Sequence, residues 1–237
     1  MRFRRSRAAA LTHALSQDEL VAAVASRLPR EEAEDRGLRK FDLLERGRAG
    51  AVEATVAELE VNLFSAVLQE RGCSLLYDLI RHDLQRRAQA AAAGAVEALV
   101  AALRAHPQSA GVQRAACLAL CIMAFSDDSG NKAGAVAALV AAMRVELSSA
   151  DVQLAACKAL VSSSFRNADN KAKAVAAGAL AALVAAMQAH LQSEDVQCRA
   201  CCALYNLAFN NYEAKAGAVG AVEAVVAATL SRRRRIC

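Results

Sequence analysis

The chain has 237 residues and 56% hydrophobic content, of which alanine alone makes up about a quarter of the sequence; alanine is the best helix former and loses no side-chain entropy on folding. With two prolines, no tryptophan and no alternating β-branched runs, strands are not expected, and charged residues interrupt every helix-length apolar window, which argues against a membrane span. The formal charge of +5 is carried at the ends, by Arg2, Arg4, Arg5 and Arg7 and by Arg232, Arg233, Arg234 and Arg235, and the body between them is slightly acidic, so a nucleic-acid surface along its length is not expected.

Residues 1–48 form a first region. Ala8 to Leu28 reads as one or two amphipathic helices, with Ser16 and Glu19 spaced as a capping box. Pro29 ends that stretch, and Arg30 to Arg48 is dense in both signs of charge. The first seventeen residues hold four arginines and no acid, a composition shared with organellar transit peptides; a solvated basic start to a helical cap is the expected reading.

From residue 49 a pattern sets in. Ala-Gly-Ala-(Val/Leu) recurs with its glycine at Gly50, Gly94, Gly134, Gly178 and Gly217, giving units near 49–92, 93–132, 133–176, 177–215 and a partial one at 216–237. Each glycine opens a helix, as in Ala95–Ala105 and Ala135–Val145, where Val136, Leu139, Val140 and Met143 fall on one stripe. A short polar turn follows, with Asp151 or Asp195 placed as the N-cap of a second helix. That helix carries a second recurrent phrase, beginning at Gln69, Gln113, Gln153 and Gln197 and reaching a cysteine four residues on, at Cys73, Cys117, Cys157 and Cys201. The long units leave room for a short leading helix, which the Gly134 unit has mostly lost.

A small residue repeated at one inter-helix slot is expected to be buried, so these four cysteines read as packing groups. Cys198 and Cys201 form a Cys-x-x-Cys pair followed by Cys202, but no second pair or ligand-spaced histidine accompanies them, so no metal is expected. His106 and His190 close equivalent helices, where each is expected to bond the last carbonyls of its own helix. No nucleophile elbow, phosphate loop or zinc-protease motif is present. An enzyme is not expected, and no cofactor is implied.

Ala93-Gly-Ala-Val-Glu-Ala-Leu-Val100, Val112-Gln-Arg-Ala-Ala-Cys-Leu-Ala-Leu120 and Val196-Gln-Cys-Arg-Ala-Cys-Cys-Ala-Leu-Tyr-Asn-Leu-Ala208 resemble armadillo repeats, over roughly residues 49–230. The resemblance implies a right-handed α-solenoid of four to five repeats whose last helices line a concave face. In peptide-binding armadillo proteins that face carries an asparagine in many repeats and, in importin-α, a tryptophan one turn earlier. Carried onto this sequence, the tryptophan slots are Ser74, Leu118, Lys158 and Cys202, and the asparagine slots are Asp78, Ile122, Ser162 and Asn206. Only Asn206 keeps its residue type, so recognition of nuclear signals in the importin-α manner is not expected.

The resulting expectation is a monomeric, non-enzymatic interaction scaffold, cytoplasmic or nuclear, that holds an unidentified protein or peptide on Leu118, Ile122, Lys158, Ser162, Cys202 and Asn206. Two alternatives stand beside it: a structural or regulatory repeat segment of a larger protein, and a nucleic-acid or membrane tether acting through Arg232–Arg235.

Overall fold

The computed structural model describes residues 30–45, 50–124 and 134–209. The expectations for Ser16 and Glu19, for the basic ends, for the leading helix of the Gly134 unit and for the partial repeat at Gly217 lie outside the described residues. Among the described residues there are eleven α-helices and no strand. The chain divides into two compact units, Met1–Lys40 and Phe41–Cys237. In the first, the described part belongs to α1 (Arg30–Glu45), where Arg39 pairs with Asp35 one turn back at 2.7 Å. The division falls inside α1.

The second unit is the repeat array. The first repeat holds α2 (Ala51–Val61) and α3 (Ala66–Ile80), and the second holds α4 (Leu84–Ala92), α5 (Ala95–Ala105) and α6 (Ala110–Met123). The third holds α7 (Ala135–Val145) and α8 (Ala150–Ser164), and the fourth α9 (Ala168–Ala176), α10 (Ala179–Ala189) and α11 (Glu194–Ala208). The long helices pack as two rows: α2, α5, α7 and α10 against one another, and α3, α6, α8 and α11 likewise, with each helix also packed on its partner within the repeat. The rows are called here the second-helix and third-helix rows, because α4 and α9 are the short leading helices that the longer sequence spacing anticipated. This is an all-α solenoid.

Each repeat glycine has a physical reason. Gly50, Gly94, Gly134 and Gly178 all adopt left-handed backbone, with φ between 72° and 81°, a conformation that costs an L side chain about 1–2 kcal/mol. At Gly94 and Gly178 it ends the short helix and bends the chain by 70° and 68° into the next. Arg144, in the last turn of α7, donates to Ala177 O at 2.9 Å and so ties that corner to the preceding repeat.

The recurrent glutamine is a clamp. Gln113 Nε2 donates to Leu103 O at 2.8 Å and His106 O at 2.9 Å, and Gln153 Nε2 to Met143 O and Glu146 O at 2.8 and 3.0 Å. Gln197 repeats the pair on Met187 O and His190 O, while Gln69 bonds Leu59 O at 2.6 Å. One buried amide thus satisfies carbonyls that the end of a second helix leaves without partners, and fixes the turn into the third helix.

The N-caps correct the sequence reading. Asp151 and Asp195 lie inside the first turns of α8 and α11; the caps are Ser149 and Ser193, matching Ser65 and Ser109, and each accepts from the backbone N–H three residues on. The turn is so tight that the serine N–H already bonds the carbonyl three residues before it, as Ser149 N does to Glu146 O at 3.1 Å. The two aspartates instead favour the positive end of the helix dipole.

The histidines are also corrected. His106 Nε2 donates to Leu63 O at 2.6 Å and His190 Nε2 to Leu147 O at 2.8 Å. Each acceptor lies in the inter-helix turn of the preceding repeat, so the pair joins neighbours rather than ending its own helix.

Phe41 is fully buried, and its ring lies so close to Gly72 that any Cβ there would collide with it and with Leu59. This explains why the first repeat carries glycine where the others carry Ala116, Ala156 and Ala200. Arg71 adds ion pairs to Asp42 at 3.1 Å and Glu45 at 2.6 Å.

Two stability predictions follow from the corner and the clamp. Gly50→Ala meets nothing within 4 Å and should cost backbone strain alone, about 1–2 kcal/mol, whereas Gly178→Ala also collides with the Arg144 guanidinium and should lower the urea midpoint further. Gln153→Leu keeps the volume but strands two carbonyls, and should cost about 2–3 kcal/mol with an unchanged denaturant slope.

Candidate functional site

Along the third-helix row, a cavity of about 240 Å³ opens between α3 and α6. Ser74, Tyr77 and Asp78 line one side and Arg114, Ala115 and Leu118 the other. Three of these, Ser74, Asp78 and Leu118, occupy slots carried over from the family resemblance. Arg81 stands over the Tyr77 ring at 5.9 Å and pairs with Asp78 at 3.6 Å, so the acidic side of the cavity is already neutralised. A second cavity, about 220 Å³, lies between α5 and α7 in the other row and is lined largely by apolar side chains.

The expected site residues divide into two groups. Leu118, Ile122 and Lys158 are half-buried and Cys202 is exposed, so all four present surface on this row. Ser162 does not: it is 9% exposed, and its hydroxyl sits 3.4 Å from Cys121 Sγ in the neighbouring helix. Asn206 uses its amide on the preceding repeat, donating to Val161 O at 3.2 Å and Ser164 Oγ at 2.7 Å. The family's ligand-binding asparagine thus becomes an inter-repeat fastener here, because Ser164 places a hydroxyl within its reach. Arg232–Arg235 lie outside the described residues.

Sequence reasoning missed Tyr77 and Arg114. Arg114 follows the clamp glutamine directly, in a slot that holds Glu70, Leu154 and Cys198 in the other repeats. That variability beside an invariant neighbour was the available signal. Aromatic side chains add to the row's far end: Tyr205 and Phe209 are 71% and 51% exposed with ring centroids 6.0 Å apart, and Lys171 lies 5.3 Å from the Phe209 ring.

The cysteines behave as two populations. Cys73, Cys117 and Cys157 are fully buried in register along the row, and burial pushes the Cys73 and Cys157 thiols up to about 12. Cys201, expected to share that burial, is exposed, as are Cys198 and Cys202. No group of histidine, cysteine or carboxylate side chains among the described residues is arranged to hold a metal ion, and no single described helix is long and apolar enough to cross a membrane. Maleimide labelling of the native chain with peptide mapping should modify Cys198, Cys201 and Cys202 rapidly. Cys73, Cys117 and Cys157 should react only after unfolding.

A family model described as LRRK2 ARM repeat matches residues 78–234. A crystal structure of an engineered protein from the Northeast Structural Genomics Consortium is similar at 25% sequence identity, covering 87% of this chain and 87% of that one, with a TM-score of 0.62. No curated protein matches the chain. The family match takes in the clamp glutamines from Gln113 on, the left-handed glycines from Gly94 on and three of the four third helices, features that the two-row packing unites: the chain belongs to the armadillo (ARM) repeat family.

Proposed function

We propose that the array is a non-enzymatic interaction scaffold that holds a segment of a partner protein across its third-helix row. The observation that carries this reading is the cavity between α3 and α6, because Ser74, Tyr77, Arg114 and Leu118 keep accessible surface there on the row the family resemblance points to. The second-helix row is occupied with construction: its turns take the glutamine clamps and the histidine bonds. On the other row Leu118 and Ile122 sit one turn apart and half-buried, enough apolar surface to receive an anchoring side chain when flanked by polar groups.

Leu118, Ile122, Lys158 and Cys202 remain the proposed contact residues, joined by Tyr77 and Arg114, while Ser162 and Asn206 serve the array itself. An intracellular setting, cytoplasmic or nuclear, belongs to the same proposal and is supported by Cys73, Cys117 and Cys157, which pack as small apolar groups.

Affinity capture from native extract compares wild type with Leu118→Asp/Ile122→Asp, both shown by circular dichroism to be folded. Proteins held by wild type should fall by about tenfold or more in the variant. Equal capture by both would remove the third-helix row as the ligand face.

A further inference from the structure

The third-helix row has a charge pattern that its repeat consensus does not dictate. Arg114 on α6, Lys158 on α8 and Arg199 on α11 stand on three successive helices. No carboxylate among the described residues forms an ion pair with any of them, in contrast to Arg71, which has two, and Arg81 and Arg86, which have one each. Lys158 and Arg199 both favour the ionised Cys121 thiol, against the larger opposing effect of its burial. The acids of the row cluster towards the helix starts, with Asp195 one turn before Arg199, or are already paired. Asp151, Glu194 and Asp195 sit in the first turns of α8 and α11, Glu70 lies against Gly111 at the start of α6, and Asp78 is paired with Arg81.

Apolar groups are interleaved with these cations. Tyr77 and Leu118 line the cavity beside Arg114, and Ile122 on α6 and Val161 on α8 are half-buried. A phosphodiester chain would use the cations and leave these groups wet, whereas a protein segment can use both. Helices packed about 8–10 Å apart carry the row from α3 to α11 across roughly 24–30 Å, which an extended segment of about nine residues spans.

We propose that this face receives an acidic protein segment of about nine residues with an aromatic or aliphatic anchor, its carboxylates meeting Arg114, Lys158 and Arg199 and its anchor entering the cavity beside Tyr77 and Leu118. The inference rests on the third-helix row being the ligand face and adds the chemistry of what it holds. Acidic side chains find three unpaired cations there, and the acid lining the cavity, Asp78, is already paired, while a basic segment would meet like charge on each third helix from α6 to α11.

The test is selection from a phage-displayed random library of peptides of about that length, on the immobilised full chain. It is run in parallel on Arg114→Glu/Lys158→Glu/Arg199→Glu and Leu118→Asp/Ile122→Asp, with an oligo-dT single strand as competitor. Enriched peptides should be rich in Asp and Glu with Phe, Tyr or Leu. They should lose about tenfold or more in affinity on the charge-reversed variant and weaken with salt. They should also fail on the Asp variant and survive oligo-dT. Enrichment of basic or uncharged peptides that bind the charge-reversed variant equally would overturn the acidic-segment inference and leave the ligand face standing. No enrichment above bare support would overturn both. Displacement of the acidic peptides by oligo-dT would assign the cations to a nucleic acid instead.

Discussion

One side-chain amide per repeat sets the geometry on which the rest depends. A second helix that ends in a four-residue turn leaves carbonyls unpaired in a place that water reaches poorly. Gln113, Gln153 and Gln197 each answer with two donated hydrogen bonds from a single Nε2, one to the last turn of the second helix and one to the turn itself. Because the amide projects from the start of the third helix, the bonds fix that helix against its partner. The left-handed glycine does the complementary job at the other corner, where the short helix gives way to the second one. With both corners set, the small side chains along the third helices, Ala116, Cys117, Ala156 and Cys157 among them, fall into register and close the row to water.

The division of labour between rows follows. Bonds between repeats concentrate at the turns and glycine corners: His106 to Leu63, His190 to Leu147 and Arg144 to Ala177. The third-helix row carries fewer such duties, and Asn206 is the main exception. The solvent-facing slots of that row are free to vary from repeat to repeat, which is what Glu70, Arg114, Leu154 and Cys198 do in one slot. In a repeat protein, variability of that kind is where ligand chemistry can be written.

The sequence made the periodic features legible because four copies of one slot announce a common environment. The glycine corner, the glutamine slot, the helix spans and the buried run of Cys73, Cys117 and Cys157 were all readable in that way. Features that depend on a particular neighbour were not. Asp151 and Asp195 were natural candidates for caps, but the turn closes two residues earlier and gives the role to Ser149 and Ser193. The partners of His106 and His190 lie 43 residues away in sequence, beyond what local pattern reveals. Cys201 shares a slot with three buried cysteines yet is exposed, so a shared slot does not by itself give a shared environment. Asn206 kept the family's residue type but not its free amide, since Ser164 stands where it can accept the bond.

The account holds that the turns, the glycine corners and the buried side chains of both rows carry stability while the cations of the third-helix row carry none of it. Urea unfolding of Arg114→Glu/Lys158→Glu/Arg199→Glu, followed by circular dichroism beside the wild type, tests that separation without any partner in hand. The predicted result is a free energy of unfolding within about 0.5 kcal/mol of wild type and the same denaturant slope. A loss comparable to that of a clamp substitution would mean that these charges hold the array together, and would contradict the assignment of this face to a ligand.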